Sequence, residues 1–557
     1  MSLALRVGVA GTLSALLWSL PAAAQEQGSD RFFAETTNKA QDAQGTSFDG
    51  SLTSTTLYYR ESGDAAPPLG GAAAFSASPV DRIFTDLRTQ LNAKHISGSK
   101  VDFRVDVRGR LNTTTYTTES AVDPDNKTDV PYQSGTRYGN ELDLRELYVR
   151  RVGSTFDLGV GRQYSLELAA TKFDGIKLEG KGTIWKLILF GGLYPSRISR
   201  DLRDDYPRAV ADVDMPSQGG GSPILPVSGG IGTAYRYRNA YGAFGAVGIL
   251  PLADDVETGA SEDARIFFTA NGYWRATSKV DFYHYVVVDA AGASGAGVTN
   301  LTAGVNLQPT AHLRAYASVS RVDTDTLNVT AQTRLQDPDP NMGAVGYLEN
   351  NIAVQRIAQD SARAGLSANF NDRLEVSTSG ALRQRGELRI EPVGGNPNDD
   401  GDDIVFQAAK AADITIALVD RKSLGGTRLG LSGTSSFGVG NANLYRNRSY
   451  IARLDATKDL ANDRAELEIS ATYINSTDDN RGVACNMMDL TTCYGASAVQ
   501  GVAAGLLLFY RFADPWFVIA DANVGAQMSS SAGMDGAPVD QPTILTTGFL
   551  LRLAYRF

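Results

Sequence analysis

From residue 51 to the end of the chain, apolar and polar side chains alternate along one segment after another. The stretch VDFRVDVRGRLN (101–112) is the clearest. Val101, Phe103, Val105, Val107 and Leu111 hold odd positions, and Asp102, Arg104, Asp106, Arg108 and Arg110 hold even ones. Successive side chains of a strand point to opposite faces, so this segment is apolar on one face and ionised on the other. RIFTDLRTQLNAK (82–94) repeats the pattern, with Ile83, Leu87 and Leu91 opposite Asp86, Arg88 and Gln90. So do YIARLDAT (450–457) and RAELEISAT (464–472). In LDLRELYV (142–149) the phase slips at Arg145-Glu146, which predicts a β-bulge. A period of two repeated this often fits a soluble sandwich with its charged face outward, or a membrane barrel with that face inward.

The two ends of the chain separate these folds. Arg6 precedes an apolar run, Val7 to Leu20, and Ala22-Ala23-Ala24 supplies the small residues of a signal-peptidase site. Residues 1–24 therefore read as a cleaved signal peptide. Beyond them the longest apolar run, GVAAGLLLFY (501–510), is half the length of a membrane-spanning helix, about 20 residues. An exported chain of this kind crosses a bilayer as strands or not at all. At the other end Phe549, Leu551, Leu553, Tyr555 and Phe557 alternate with Leu550, Arg552, Ala554 and Arg556. On a soluble protein that apolar terminal strand would be an aggregation edge, whereas a barrel pairs it with the first strand. Leu553, Tyr555 and Phe557 resemble the assembly signal of bacterial outer-membrane proteins, which implies the barrel-assembly machinery as a partner.

The expected fold is therefore all-β: a transmembrane antiparallel up-and-down β-barrel of about 22 strands, within a range of roughly 18–24. Its first strand is expected at 51–61 and its last at 544–557, with others at 139–151, 155–164, 172–180 and 498–511. Residues 25–50 read as a periplasmic N-terminal tail and 51–557 as the barrel. Residues 325–361 hold either a strand pair or a loop helix around Asn351–Gln359. Short polar turns such as ISGSK (96–100), EGKGT (179–183) and FADP (512–515) alternate with long loops rich in Gly, Pro, Asp and Asn. Short turns on the periplasmic rim and long loops outside are the outer-membrane pattern. Trp185, Trp274 and Trp516 all fall beside predicted tight turns, which places them in one ring where indoles favour a membrane interface.

In such a barrel Asp86, Arg88, Asp102, Arg104, Asp106, Arg108, Arg110, Asp143 and Arg145 line the pore. The register across the 96–100 turn is expected to set Arg88 opposite Asp106 and Asp86 opposite Arg108. These rows read either as a stiffened solvated wall or as an arginine ladder for anionic solutes. Only 26 residues (25–50) separate the signal peptide from the first predicted strand, too few for a folded plug, so any constriction is expected from an inward-folding external loop; Pro195 to Gly229 is the longest candidate. The formal charge of −10 argues against a general nucleic-acid binder.

ELDLRELYVRR, FDLGVGRQ and KFDGIKLEG (within 139–180) resemble the early strands of the porin families associated with alginate export and phosphate-selective uptake. The resemblance implies a barrel channel, with Arg145, Glu146, Arg162 and Gln163 at the pore wall or rim.

Catalysis finds no constellation: His95, His284 and His312 stand apart in the sequence, with no nucleophile signalled beside them. The chain is therefore expected not to be an enzyme. No cofactor or metal is expected either, the acidic loops at Asp337–Asp339 and Asp399–Asp403 reading as solvated. Cys485 and Cys493 are expected to form a short-loop disulfide in an oxidising compartment. The functional expectation is a Gram-negative outer-membrane channel for small hydrophilic, and in the ladder reading anionic, solutes, with outer-membrane lipid around it. The alternative is a structural barrel that sheaths or displays partner proteins. Homo-oligomerisation stays open.

Overall fold

The computed structural model describes residues 45–62, 81–112, 117–119, 127–129, 140–195, 202, 205–206, 225–250, 264–291, 296–323, 335–336, 347–348, 358–371, 373–386, 388–390, 404–406, 408–439, 447–461, 464–478, 497–532 and 538–557. Within them 22 strands join one sheet. In chain order they are β1 (Ser47–Ser62), β2 (Asp81–Lys94), β3 (Val101–Asn112), β4 (Glu141–Val152), β5 (Phe156–Ser165), β6 (Thr171–Lys181), β7 (Trp185–Leu193) and β8 (Val227–Tyr237). There follow β9 (Ala240–Leu250), β10 (Arg265–Thr277), β11 (Val280–Ala291), β12 (Gly297–Thr310), β13 (Leu313–Asp323), β14 (Ala358–Phe370) and β15 (Leu374–Arg385). The last are β16 (Ala409–Leu424), β17 (Thr427–Gly438), β18 (Asn447–Leu460), β19 (Ala465–Asp478), β20 (Ser497–Ala513), β21 (Trp516–Ala532) and β22 (Pro538–Arg556).

Each strand pairs antiparallel with its neighbours in sequence, and β1 pairs with β22 from Ser51↔Arg556 to Ser62↔Leu545. The sheet is thus a closed up-and-down barrel. Closure is completed by the last residue: the Gly50 N–H donates to the Phe557 carbonyl at 2.9 Å and the Phe557 N–H returns to Gly50 at 3.2 Å. A closed sheet has no edge left to satisfy, which is what strands in lipid require. Gly50 permits this close approach, since a Cβ there would stand 2.4 Å from the Gln90 carbonyl oxygen and 2.7 Å from the Phe557 ring.

The outer wall is apolar and exposed. Leu87, Leu187, Ile231, Phe244, Phe268, Val502 and Phe549 project from it, while the alternate positions face the lumen. No helix among the described residues is long and apolar enough to cross a membrane; the crossing is made by strands. Every one of the 22 strands lies where alternation placed it, with ends shifted by a few residues; β1 begins at Ser47 rather than residue 51. The uncertain 325–361 stretch contributes a two-residue ladder, Leu335–Gln336 with Tyr347–Leu348, and the start of β14. Residues 1–44, Cys485, Cys493, Asn351 and the acids at Asp337, Asp339 and Asp399–Asp403 lie outside the described residues.

Candidate functional site in the barrel lumen

The lumen wall of β2, β3 and β4 carries the predicted charges, in a register two residues away from expectation. Arg88 faces Arg108, and Asp86 faces Arg110. The turn between β2 and β3 causes the shift. His95, Ser97 and Gly98 adopt left-handed backbone around a short 3-10 turn, and the ladder begins only at Ala93↔Phe103. A slip of two residues keeps every side chain on its face, so the lining survives while the pairs change. Asp86 takes Arg110, with Nε–Oδ1 at 2.7 Å and Nη2–Oδ2 at 2.9 Å, instead of Arg108. Arg88 still reaches Asp106, diagonally, at 2.8 and 2.6 Å, and Gln90 Nε2 donates to the same carboxylate at 2.9 Å.

The remaining charges interleave. Arg104 Nε donates to Glu146 at 2.6 Å, and Arg108 Nη2 to Glu141 at 2.9 Å with Asp143 at 3.9 Å. Asp102 accepts the His95 backbone N–H at 3.0 Å. Arg145 is the extra residue of a bulge, because Asp106 pairs with Glu146 and Val107 with Leu144. The phase slip in LDLRELYV is therefore that bulge. Arg88, Arg104, Arg108, Arg110 and Arg145 thus share one wall with six carboxylates: Asp86, Asp102, Asp106, Glu141, Asp143 and Glu146.

The lumen is narrowed by an element the alternation did not single out. β4 and β5 pair only from Leu147↔Arg162 to Val152↔Asp157, and β6 and β7 only as far as Asp174↔Leu193. The free upper end of the β5–β6 hairpin turns into the barrel. At its tip Ala169 and Ala170 are left-handed, and Leu168 is fully buried among Phe173, Ile188, Phe190, Ala243, Val247 and Phe267. Phe173 belongs to the hairpin itself, and the others are strand residues of the inner wall from β7 to β10. Phe173 stacks on Phe190 with ring centres 4.4 Å apart. Beside the tip, Glu167 lies between Lys177 at 3.5 Å and Lys186, and its carbonyl accepts Asn271 Nδ2 at 3.1 Å.

The back of the hairpin is polar. Arg162 Nε donates to Asp174 at 2.6 Å, and its Nη1 donates to the Leu144 carbonyl at 3.0 Å and to Asp205. The Tyr206 hydroxyl donates to Asp174, and Lys172 Nζ stands 3.6 Å from Asp205. Burial and the Asp174 carboxylate together push the Tyr206 phenol above its ordinary range. The Leu202 N–H donates to the Leu142 carbonyl at 2.7 Å. Among the described residues the lumen is narrowed by the β5–β6 hairpin, which Leu202, Asp205 and Tyr206 hold from behind; most of the 195–229 loop expected to constrict the pore lies outside the described residues. Of the residues the porin resemblance placed at the wall, Glu146 lines it, while Arg162 and Gln163 are buried in the hairpin.

A signal for this hairpin was present in the sequence. FGGLY (190–194), SGGIG (228–232) and YGAFGAVG (241–248) put glycine and apolar residues where a water-filled wall would be polar. They are the floor on which the tip rests. A Cβ at Gly232 or Gly245 would stand 2.5 or 2.4 Å from Leu168 Cδ2.

Trp185 and Trp274 are exposed on the outer wall, and Trp516 is half-buried; all three sit beside tight turns. Each carries aromatic company: Trp185 with Tyr235 at 5.3 Å, Trp274 with Phe282 at 5.5 Å, Trp516 with Tyr555 at 4.6 Å, and Tyr555 in turn with Phe557 at 5.6 Å. Leu553 shares their outer face. No group of three or more potential metal ligands occurs among the described residues.

An apolar outer wall, a closed ladder and a charged lumen define a transmembrane β-barrel of the porin type. The chain is similar in fold to OccK9 (OpdG) of Pseudomonas aeruginosa, at 11% identity and a TM-score of 0.36, covering 92% of this chain and 98% of that one. It is similar also to OpdL of Pseudomonas aeruginosa, at 11% identity and a TM-score of 0.38, covering 92% and 99%. A third likeness is to OmpT of Vibrio cholerae, an outer membrane protein solved in trimer form, at 11% identity and a TM-score of 0.29, covering 93% and 100%. Likeness at this level carries no argument, and the class rests on the barrel itself. No protein-family model and no curated protein matches the chain, so the resemblance to alginate and phosphate porins rests on its residues alone.

Proposed function

We propose that this protein is an outer-membrane channel for passive diffusion of small hydrophilic solutes. The observation that carries the reading is the closed 22-strand wall with ionised rows on its inner face. A barrel of more than about 16 strands leaves an aqueous lumen unless something fills it. The β5–β6 hairpin narrows that lumen from the side of β6 to β11. Interleaving of five arginines with six carboxylates on β2–β4 supports weak charge selectivity rather than a strong preference for anions. In this reading residues 1–24 are removed on export, the tryptophan rim marks the periplasmic interface, Leu553, Tyr555 and Phe557 guide assembly, and Cys485 bonds to Cys493. The role is conduction, not catalysis.

Single-channel recording of the purified, refolded full-length chain in planar bilayers tests the proposal. Stable open currents in potassium chloride are the expected result. A folded barrel that never conducts would favour the sheath instead.

A further inference from the structure

The apolar run GVAAGLLLFY (501–510) has no role in the wall described so far. It forms the middle of β20, whose even positions, Val502, Leu506 and Tyr510 among them, are exposed on the outer wall. The odd positions Gly501, Ala503, Gly505, Leu507 and Phe509 therefore face the lumen, and none of them is polar. On β21 Phe517 and Ile519 extend the surface, with the Phe509 and Phe517 rings 5.7 Å apart, and Asp521, opposite Leu507, ends it on that strand. The in-turned hairpin packs on β7 to β11, so it does not cover this sector. An apolar patch held against water signals a binding surface.

Its flanks specify what binds. Across four adjacent strands one inner row reads Glu466, Phe509, Ile519 and Arg552 in direct register. Glu468, beside Leu507 in the next row, is already held by Arg453 at 2.6 Å, whereas Asp459 faces Glu466 across β18 and β19. Carboxylates thus border the apolar centre on one side and a guanidinium borders it on the other. Arg552 is steadied by its Nε donating to Thr55 Oγ1 at 3.1 Å. Strands lie about 4.7–4.9 Å apart, so three steps separate the Glu466 and Arg552 backbones by about 14 Å. Side chains reaching inward from both reduce that span to the length of a short extended peptide, at about 3.3–3.6 Å per residue.

We propose that this sector is a track for short zwitterionic peptides with apolar side chains. The peptide ammonium lies at Glu466 and Asp459, its carboxylate at Arg552, and its side chains on Phe509 and Ile519. The proposal deepens the channel reading and rests on it for access.

The test is calorimetric titration of the refolded full-length protein with dileucine, diglycine, N-acetyl-dileucine and dileucine amide, with detergent micelles alone subtracted. Potassium chloride conductance is recorded in parallel. Dileucine is expected to bind about tenfold or more tighter than diglycine, since two buried leucines supply more than one decade of affinity. Blocking either end is expected to weaken binding several-fold, as are Phe509→Ser, Ile519→Asn and Glu466→Gln. Two apolar variants are included so that one which fails to fold leaves the other to decide. Equal affinity for dileucine and diglycine, or full affinity in a folded Phe509→Ser or Ile519→Asn protein, overturns the track. Full affinity for N-acetyl-dileucine overturns its two-ended form. A protein that conducts without binding dileucine overturns the track alone. One that binds dileucine without conducting overturns the channel reading and leaves the track standing.

Discussion

Leu168 at the tip of the β5–β6 hairpin rests on Gly245 of the adjoining inner wall, so closely that a Cβ on the glycine would stand 2.4 Å from the leucine Cδ2. The contact joins residues 77 positions apart, and Gly232 makes the same provision on the neighbouring strand. Replacing Leu168 with Asp removes about 1.5–3 kcal/mol of apolar burial and asks a carboxylate to occupy the same dry site. The hairpin is then expected to leave the wall, with larger and noisier single-channel currents. Leu168→Asp is a cleaner probe than Gly245→Val, because a Cβ at residue 245 would also press on wall backbone at Ile231 and Gly232. Unchanged conductance in Leu168→Asp would show that the hairpin does not set the bore.

The arginines of β3 give a second prediction. Each is joined to an acid, as in the bidentate Asp86–Arg110 pair, so each removal uncovers a carboxylate as well as deleting a cation. Substituting Arg104, Arg108 and Arg110 together by Ala should move the reversal potential in a salt gradient toward cation selectivity. Asp86→Ala with Asp106→Ala should move it the opposite way. If neither set of changes moves it, the ladder only stiffens the wall.

The barrel was legible because its governing signal is local. A strand's faces follow from residue parity alone, and closure follows from an apolar last strand that needs a partner. The bulge at Arg145 was legible for the same reason, as a break in parity. The pairing across 96–100 was not, since register depends on left-handed backbone at His95 and Ser97, two residues that do not announce it. The hairpin tip was hidden for a different reason. Apart from Phe173 of its own hairpin, Leu168 is buried by strands about 20 to 120 residues away in sequence, and nothing in SLELAATK (165–172) says that they will surround it. What the sequence did offer was the glycine-dense wall, whose meaning depends on knowing what rests on it.

Face assignment itself can be tested on β3. Val105 pairs with Leu91 on one side and Leu147 on the other, all on the outer wall. Val105→Arg should cost about 2–4 kcal/mol if that position lies near the bilayer midplane. Arg104→Ala, one residue away on the inner face, should change conduction more than stability. Unfolding midpoints in urea, measured in lipid for the two variants, check the contrast. Equal losses would mean that the two faces are not differently solvated.

Arg162 gives the last prediction. Because β5 leaves β4 after Leu147↔Arg162, the Leu142 and Leu144 carbonyls lose their strand partners at a place where the wall still has to be sealed. The Leu202 N–H satisfies the first and Arg162 Nη1 the second, and the same guanidinium neutralises Asp174 and the buried Asp205. Breaking a buried ion pair by removing one partner costs about 3–5 kcal/mol, because the other charge stays behind. Arg162→Ala should therefore destabilise the barrel by about that much, whereas Tyr206→Phe deletes a single hydrogen bond and should cost about 1.5–3 kcal/mol. Hydrogen exchange at the Leu202 amide provides the local readout. It should quicken markedly in Arg162→Ala and only slightly in Tyr206→Phe. Equal protection in both variants would show that the segment is held to β4 independently of the arginine.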